Sequence, residues 1–268
     1  MLFINMTVEE IQSRLKTKRF GKTIFHFESL PSTNTYAKSL TSNGVEEGTI
    51  VIADQQTAGH GRLGRHWHAE PGKNLTFSLI IRPDLPPGQI GLVSLYTSIA
   101  VTQALTLLTP LHIKCKWPND VIVNSKKCCG ILSEATFTNG TISYITIGIG
   151  INVNQHIFPP DIATSATSLF LETGKHFDRI SVLCKVLEEM ESLYPLLTSG
   201  RAADIIKKWQ GHTAMLGTRV SINQNGNSIQ GTAVRLAEDG GLVVVTDHGE
   251  VKILAGDVNL YNANSLPV

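Results

Sequence analysis

Apolar positions along the chain fall into two rhythms. Val8, Ile11 and Leu15 recur at helical spacing, which predicts one short amphipathic helix over 7–18, stopped by Gly21. From there to about residue 155 the pattern is of short alternating or near-continuous apolar runs. These predict strands over 23–27, 49–53, 75–81, 112–115, 121–123, 131–135 and 142–151. One long apolar segment with few breakers, 92–108, interrupts them, and its length favours a buried helix. Leu183, Val186, Leu187, Met190 and Leu193 then return at intervals of three to four, predicting a helix over 180–197 against a core, with another over 202–209. This order is neither strict strand–helix alternation nor all-β. The body is predicted to be α+β.

After Gly211 the texture changes. Short strands are predicted over 219–222, 228–236, 242–246 and 250–254, separated by Asn225-Gly226, Asp239-Gly240-Gly241 and His248-Gly249. Strands this short at this spacing suggest a small β-barrel. The expected division is 1–211 for the main domain and 212–268 for the barrel, with no internal repeat.

Composition narrows the functional classes. The 268 residues are 42% hydrophobic and 17% charged, as in a soluble globular protein with a full core. A net charge of +1 gives no overall footprint for nucleic acid or an anionic membrane. The stretch 142–153, the most apolar, is broken by Gly148, Gly150 and Asn152, and no run approaches the ~20 residues of a membrane span. With Glu9 and Glu10 and no long apolar core, the N-terminus does not read as a secretory signal. The segment before Ser32 has room for one helix, too little for a helix-turn-helix. Cys115, Cys128, Cys129 and Cys184 form no CxxC pair and no zinc grouping, so buried thiols in a reducing cytoplasm are expected, and no metal site.

Three segments carry candidate chemistry. In Gly59-His60-Gly61-Arg62-Leu63-Gly64-Arg65-His66-Trp67, glycines let the backbone approach a ligand and successive N–H groups can cradle an anion. Arg62 and Arg65 add planar cations for carboxylate and phosphate, and Trp67 can stack on a base or cover an apolar ligand. The glycine spacing matches GxGxxG, but no clear strand–helix–strand unit with a later acidic residue accompanies it, so a dinucleotide fingerprint is not indicated. In Lys116-Trp117-Pro118-Asn119-Asp120, the proline fixes a turn, and Asp120 could hold Mg²⁺ or a ribose hydroxyl. Lys127 precedes Gly130 and an apolar strand, a setting in which a lysine can be aimed at an anion, whereas Lys126 reads as solvated. Gly148 to Asn154 ends the apolar strand with small residues and amides, more like a binding-site wall than packing.

Together these segments closely resemble the biotin–protein ligases. Ser32-Thr33-Asn34 matches the family's early STN motif, the glycine–arginine loop its GRGRxGRxW, and KWPND stands verbatim at 116–120. KxxGIL falls at 127–132, and GIGIN ends at Asn152. The resemblance implies a catalytic core like that of class II aminoacyl-tRNA synthetases and an SH3-like C-terminal barrel. It implies Ser32, Thr33, Asn34 and Gln56 at the ureido ring of biotin, and Arg62 and Lys127 near the biotin carboxylate and the α-phosphate. Arg65, Trp67, Asn119 and Asp120 would serve the nucleotide side. Gly59, His60, Gly61, Lys116, Gly130, Gly150 and Asn152 complete the implied ligand-binding set, and Lys127, Arg62 and Asp120 the catalytic one. The implied activity uses biotin, ATP and Mg²⁺ to make biotinyl-5'-AMP and transfer biotin to a lysine of a biotin carboxyl carrier protein.

His60 departs from the family's usual arginine. Imidazole is shorter, lacks the bidentate fork and changes charge near neutral pH. The DNA-binding domain of some relatives is not expected before the STN motif, so the chain resembles the ligase-only type, with no nucleic acid or membrane partner and with a homodimer left open. A lipoate-type ligase and a non-catalytic biotin or nucleotide sensor are the competing readings.

Overall fold

Alternation along β7 (Thr141–Ile151) decides which face of the main sheet packs and which is left for chemistry. Ile145, Ile147, Ile149 and Ile151 point into the principal core, while Thr146, Gly148 and Gly150 face the other way. The same period of two repeats in β3 (Leu75–Ile81), where Leu75, Phe77, Leu79 and Ile81 enter that core and Thr76 and Ser78 do not. The structure, a computed structural model, describes residues 6–224 and 227–260. The Asn225-Gly226 turn and both extremities of the predicted domains, 1–5 and 261–268, lie outside the described residues.

The main sheet has seven strands in the order β1 (Ile24–Leu30), β2 (Ile50–Gln56), β3, β7, β6 (Lys126–Thr138), β5 (Asp120–Val123) and β4 (Ile113–Lys116). Only β1 and β2 run parallel; the rest of the ladder is antiparallel. One face is covered by α3 (Gly91–Leu108), α5 (Arg179–Thr198) and α6 (Ala202–Gly211), with α1 (Val8–Arg14) against α5. Among the described residues, Pro87–Leu108 alone is long and apolar enough to cross a membrane by length and composition. It is a core helix here, packed against α5 and α6, with the Tyr96 hydroxyl donating to the Met190 carbonyl at 2.5 Å.

On the opposite face lies α2 (Thr33–Thr41), a helix the sequence pattern did not reveal. Its apolar side is short, with Tyr36, Ala37 and Leu40 set against Val51, Ile80 and Tyr144. Ser32 starts it as N-cap, its Oγ accepting from the Thr35 amide at 3.4 Å. A five-residue helix, α4 (Leu169–Thr173), also went unpredicted. The predicted strand 131–135 is the middle of the much longer β6.

The C-terminal sheet runs β11 (Gly249–Ile253), β10 (Leu242–Thr246), β9 (Asn227–Leu236), β8 (Arg219–Gln224) and β12 (Asp257–Leu260). Its end strands β11 and β12 are not paired with each other, because the chain crosses over after β11 and lays β12 against β8. Where the sequence predicts a small barrel, the described residues form a five-stranded β-sheet. Its 239–241 turn sits on the main domain, where the Trp117 indole donates to the Gly240 carbonyl at 2.9 Å.

Candidate active site

A cavity of about 300 Å³ opens on the polar face of the main sheet, near the lower limit for small-molecule sites. Its floor comes from two rungs of the ladder, Thr76–Gly150–Gly130 and Gly148–Leu132. At one end stand Ser32, Thr33 and Asn34 at the start of α2, and Gln56 at the end of β2. The Thr33 amide and hydroxyl both donate to Gln56 Oε1, at 2.7 and 3.0 Å, and Ser78 Oγ donates to Thr33 Oγ1 at 2.9 Å. That end is polar and uncharged.

The glycine–arginine segment forms the roof as a short hairpin. The Trp67 amide donates to the Gly59 carbonyl at 2.9 Å, the Gly61 amide donates to the Arg65 carbonyl at 2.7 Å, and His60 faces His66 across it. Leu63 at its tip has φ of 57°, a left-handed conformation that costs a branched residue about 1–2 kcal/mol. Inside the hairpin, Trp67 lies flat on the floor. A Cβ at Gly150 would come within 2.5 Å of its ring, and one at Gly130 within 3.0 Å. That approach requires glycine at 150 and leaves little room for a side chain at 130.

Three cations gather at the other end. Arg62 donates from Nη1 to Asn119 Oδ1 at 3.0 Å, and Arg65 holds both oxygens of Asp257, from β12. Lys127 Nζ lies 2.6 Å from Asp120 Oδ1, outside hydrogen-bond angles, so the pair is an ion contact. The same ammonium is 5.9 Å from the Trp67 ring centroid. The Lys127 backbone is clamped by Ser165 and Thr167, its amide donating to the Ser165 carbonyl at 2.7 Å. Burial draws the Arg62 guanidinium below its ordinary range, opposed by Asp257 and Asp120. Burial likewise lowers Lys116, with Asp120 opposing.

Of the sequence-predicted site residues, the fold brings Ser32, Thr33, Asn34, Gln56, His60, Gly61, Arg62, Arg65, Trp67, Asn119, Asp120, Lys127, Gly130, Gly150 and Asn152 to this cavity. It does not bring Gly59 or Lys116 to the wall: Gly59 lies behind Gln56, and Lys116 is half-buried opposite Asp120 in the β4–β5 ladder. Sequence reasoning missed Asp257 and the cap that supplies Phe158, Ile162, Ser165 and Ala166. The cap lacks periodicity; Pro159-Pro160 marks it only as irregular. Four buried polar atoms in the lining residues have no hydrogen-bond partner: Asn34 Oδ1, Asn152 Oδ1, Trp67 Nε1 and Asp120 Oδ1, the last in ion contact with Lys127. A ligand with donors and acceptors of its own would satisfy such groups.

No group of three or more His, Cys, Asp or Glu among the described residues could hold a metal ion. All four thiols are buried, and burial pushes Cys128 up to about 12 and Cys115 and Cys184 to about 11.

Comparison with known proteins agrees with this geometry. Residues 26–152 match the Biotin/lipoate A/B protein ligase family, and residues 215–261 match the biotin protein ligase C terminal domain. The bifunctional ligase/repressor BirA of Bacillus subtilis is 34% identical over 257 residues, covering 95% of this chain and 79% of its own. A biotin–(acetyl-CoA-carboxylase) ligase of Mycobacterium tuberculosis is 30% identical, covering 85% of each chain. The solved biotin protein ligase of Aquifex aeolicus in complex with biotin and ATP superposes with a TM-score of 0.77 at 33% identity, over 90% of this chain and all of that one. The chain belongs to the biotin/lipoate A/B protein ligase family, on its biotin protein ligase branch.

Proposed function

We propose that the protein joins biotin to ATP as biotinyl-5'-AMP and transfers the biotinyl group to one lysine of a biotin carboxyl carrier protein. One observation carries this reading: a single cavity has an uncharged hydrogen-bonding end at Ser32, Thr33, Asn34 and Gln56 and a cationic end at Arg62, Arg65 and Lys127. A small neutral ring fits the first, and a carboxylate meeting a polyphosphate fits the second.

The chemistry requires that second end. A biotin carboxylate oxygen attacks the α-phosphorus, a P–O bond forms, and pyrophosphate leaves with its electron pair. The obstacle is the approach of two anions, which Arg62, Arg65, Lys127 and the hairpin N–H groups offset by preorganised charge. The acceptor amine then attacks the anhydride carbonyl, AMP departs, and the amine proton is lost; Asp120, in the cavity lining beside Lys127, would orient that amine. Mg²⁺ would enter on the nucleotide phosphates and water, since the site offers isolated carboxylates rather than a cage. The hairpin 59–67 serves as a lid that keeps water from the adenylate.

The division into a catalytic unit 1–211 and a small unit 212–268 is supported by the end of α6 at Gly211 and by the separate second sheet. A class II synthetase-like core and SH3-like curvature are the finer architecture that the resemblance implies. For the carrier, the open edge of β6 is the natural dock. β5 pairs with it only over 126–130, so residues 132–138 have β7 on one side and no strand on the other among the described residues.

Pyrophosphate release tests the reading. It should require biotin and ATP together; release with lipoate or octanoate as fast as with biotin would overturn it.

A further inference from the structure

Below the cavity floor the next rung of the ladder reads Ile80–Thr146–Glu134. Glu134 does not line the cavity, yet its Oε2 accepts from Asn34 Nδ2 at 2.5 Å. A carboxylate has no proton to give, so it accepts only the NH2 half of the Asn34 amide. The other half, Oδ1, is thereby turned away from Glu134 and is buried with no partner. It lies beside Gly148, where a Cβ would stand 3.0 Å from it. Asn34 and Gly148 both line the uncharged end of the cavity.

An amide can turn over, exchanging acceptor for donor at nearly the same shape. The Thr146 hydroxyl, next to Glu134 in the ladder, has no hydrogen-bond partner of its own. The Glu134 carboxylate opposes the turn: with Asn34 reversed, two acceptor oxygens would face each other with no proton between them, which is strongly unfavourable away from water.

We propose that Glu134 is the positioning residue behind the cavity's choice of acid: it holds the Asn34 amide with its oxygen toward the ligand, so that a ring carrying N–H groups is favoured over a ring that has none. This deepens the biotin reading and rests on it. Biotin's ureido ring brings two N–H donors to the site. A dithiolane acid or a simple fatty acid brings none, and would leave Asn34 Oδ1 buried and unpaired.

The test uses the whole chain and three variants. Glu134→Gln is isosteric and uncharged, and it lets either half of the Asn34 amide find a partner. Its KM for biotin should rise about ten- to a hundredfold, the loss of one enforced hydrogen bond, while KM for ATP stays within about twofold. Discrimination of biotin against octanoate, read as the ratio of kcat/KM for pyrophosphate release, should fall in parallel. Asn34→Asp sets two carboxylates against each other and should weaken biotin more. Asn34→Asp combined with Glu134→Gln restores one donor facing one acceptor with an oxygen still toward the ligand. It should recover biotin KM to within about threefold of the starting protein, a recovery that reads as the coupling energy of the pair. A merely structural Glu134 predicts equal losses for biotin and ATP, a lowered Tm and no recovery in the double variant; that result overturns the proposal. Should the unaltered protein fail to bind biotin by calorimetry, the reading of the cavity falls with it. Should it bind biotin while Glu134→Gln changes nothing, only the role of Glu134 falls.

Discussion

Arg65 at the hairpin and Asp257 on β12 meet through both terminal guanidinium nitrogens, across 192 positions of sequence. The pair fastens the roof of the cavity to the C-terminal sheet. Arg65 is exposed, so the pair adds at most about 1 kcal/mol to stability. Its consequence lies in the lid. Asp257→Ala should leave Tm nearly unchanged and speed loss of adenylate several-fold, measured by retention of labelled adenylate through gel filtration. Retention equal to that of the unaltered protein would show that the small sheet does not hold the lid.

Arg62 lines the cavity and donates to Asn119. Arg62→Gly should slow pyrophosphate release by about 10²–10³, as for other donors aimed at developing charge. The adenylate that does form should escape and label bystander lysines on an added protein. Unchanged selectivity for the carrier would remove Arg62 from the lid.

Trp67 rests on two glycines, while Trp117 and Trp209 are buried in the core. Tryptophan fluorescence should therefore respond to ligand through Trp67 alone, and Trp67→Phe should abolish the change. Gly150→Ala drives a methyl into the indole ring. Overpacking of this kind costs about 1–3 kcal/mol, and here it should also displace Trp67 and weaken biotin by more than it lowers Tm.

Asp54 joins β1, β2 and the start of α5: it pairs with His26 at 3.0 Å and with Arg179 at 2.7 Å. Burial alone would raise its carboxyl, but the hydrogen bonds from His26 and Arg179 prevail and hold it below its ordinary 3.8. A depressed carboxylate contributes stability that is full above the unfolded-state value and is lost as pH falls through the folded one. Thermal melts should thus weaken progressively below about pH 4, the ordinary carboxylate range, and Asp54→Asn should remove part of that dependence while lowering Tm at neutral pH.

Burial holds the four thiols protonated, with Cys128 raised to about 12. Native protein should react slowly with a thiol reagent at neutral pH and all four should react after unfolding. Fast labelling of Cys128 or Cys129 in the folded protein would contradict the packing described.

Much of this was legible from residue order, and the reason is the strand period. In 145–151, isoleucine alternates with Thr146, Gly148 and Gly150, which marks one face as core and the other as wall before any coordinates are known. KWPND and the glycine–arginine segment were legible because they need particular residue types. The α2 helix was not, since its apolar side is short and its first turn is spent on the polar residues Ser32, Thr33 and Asn34. Asp257 was invisible for another reason: an acidic residue at the start of a short strand has no signal until the fold sets Arg65 beside it. The strand order of the small sheet also escaped, because spacing predicts strands and turns but not that the last strand lies against β8.

The most direct measurement is the mass of what the protein retains after incubation with biotin and MgATP, followed by desalting and denaturation. The account predicts one released species with the mass of biotinyl-5'-AMP, absent when either substrate is omitted. Biotin and ATP recovered unjoined, from a protein that binds both, would contradict it.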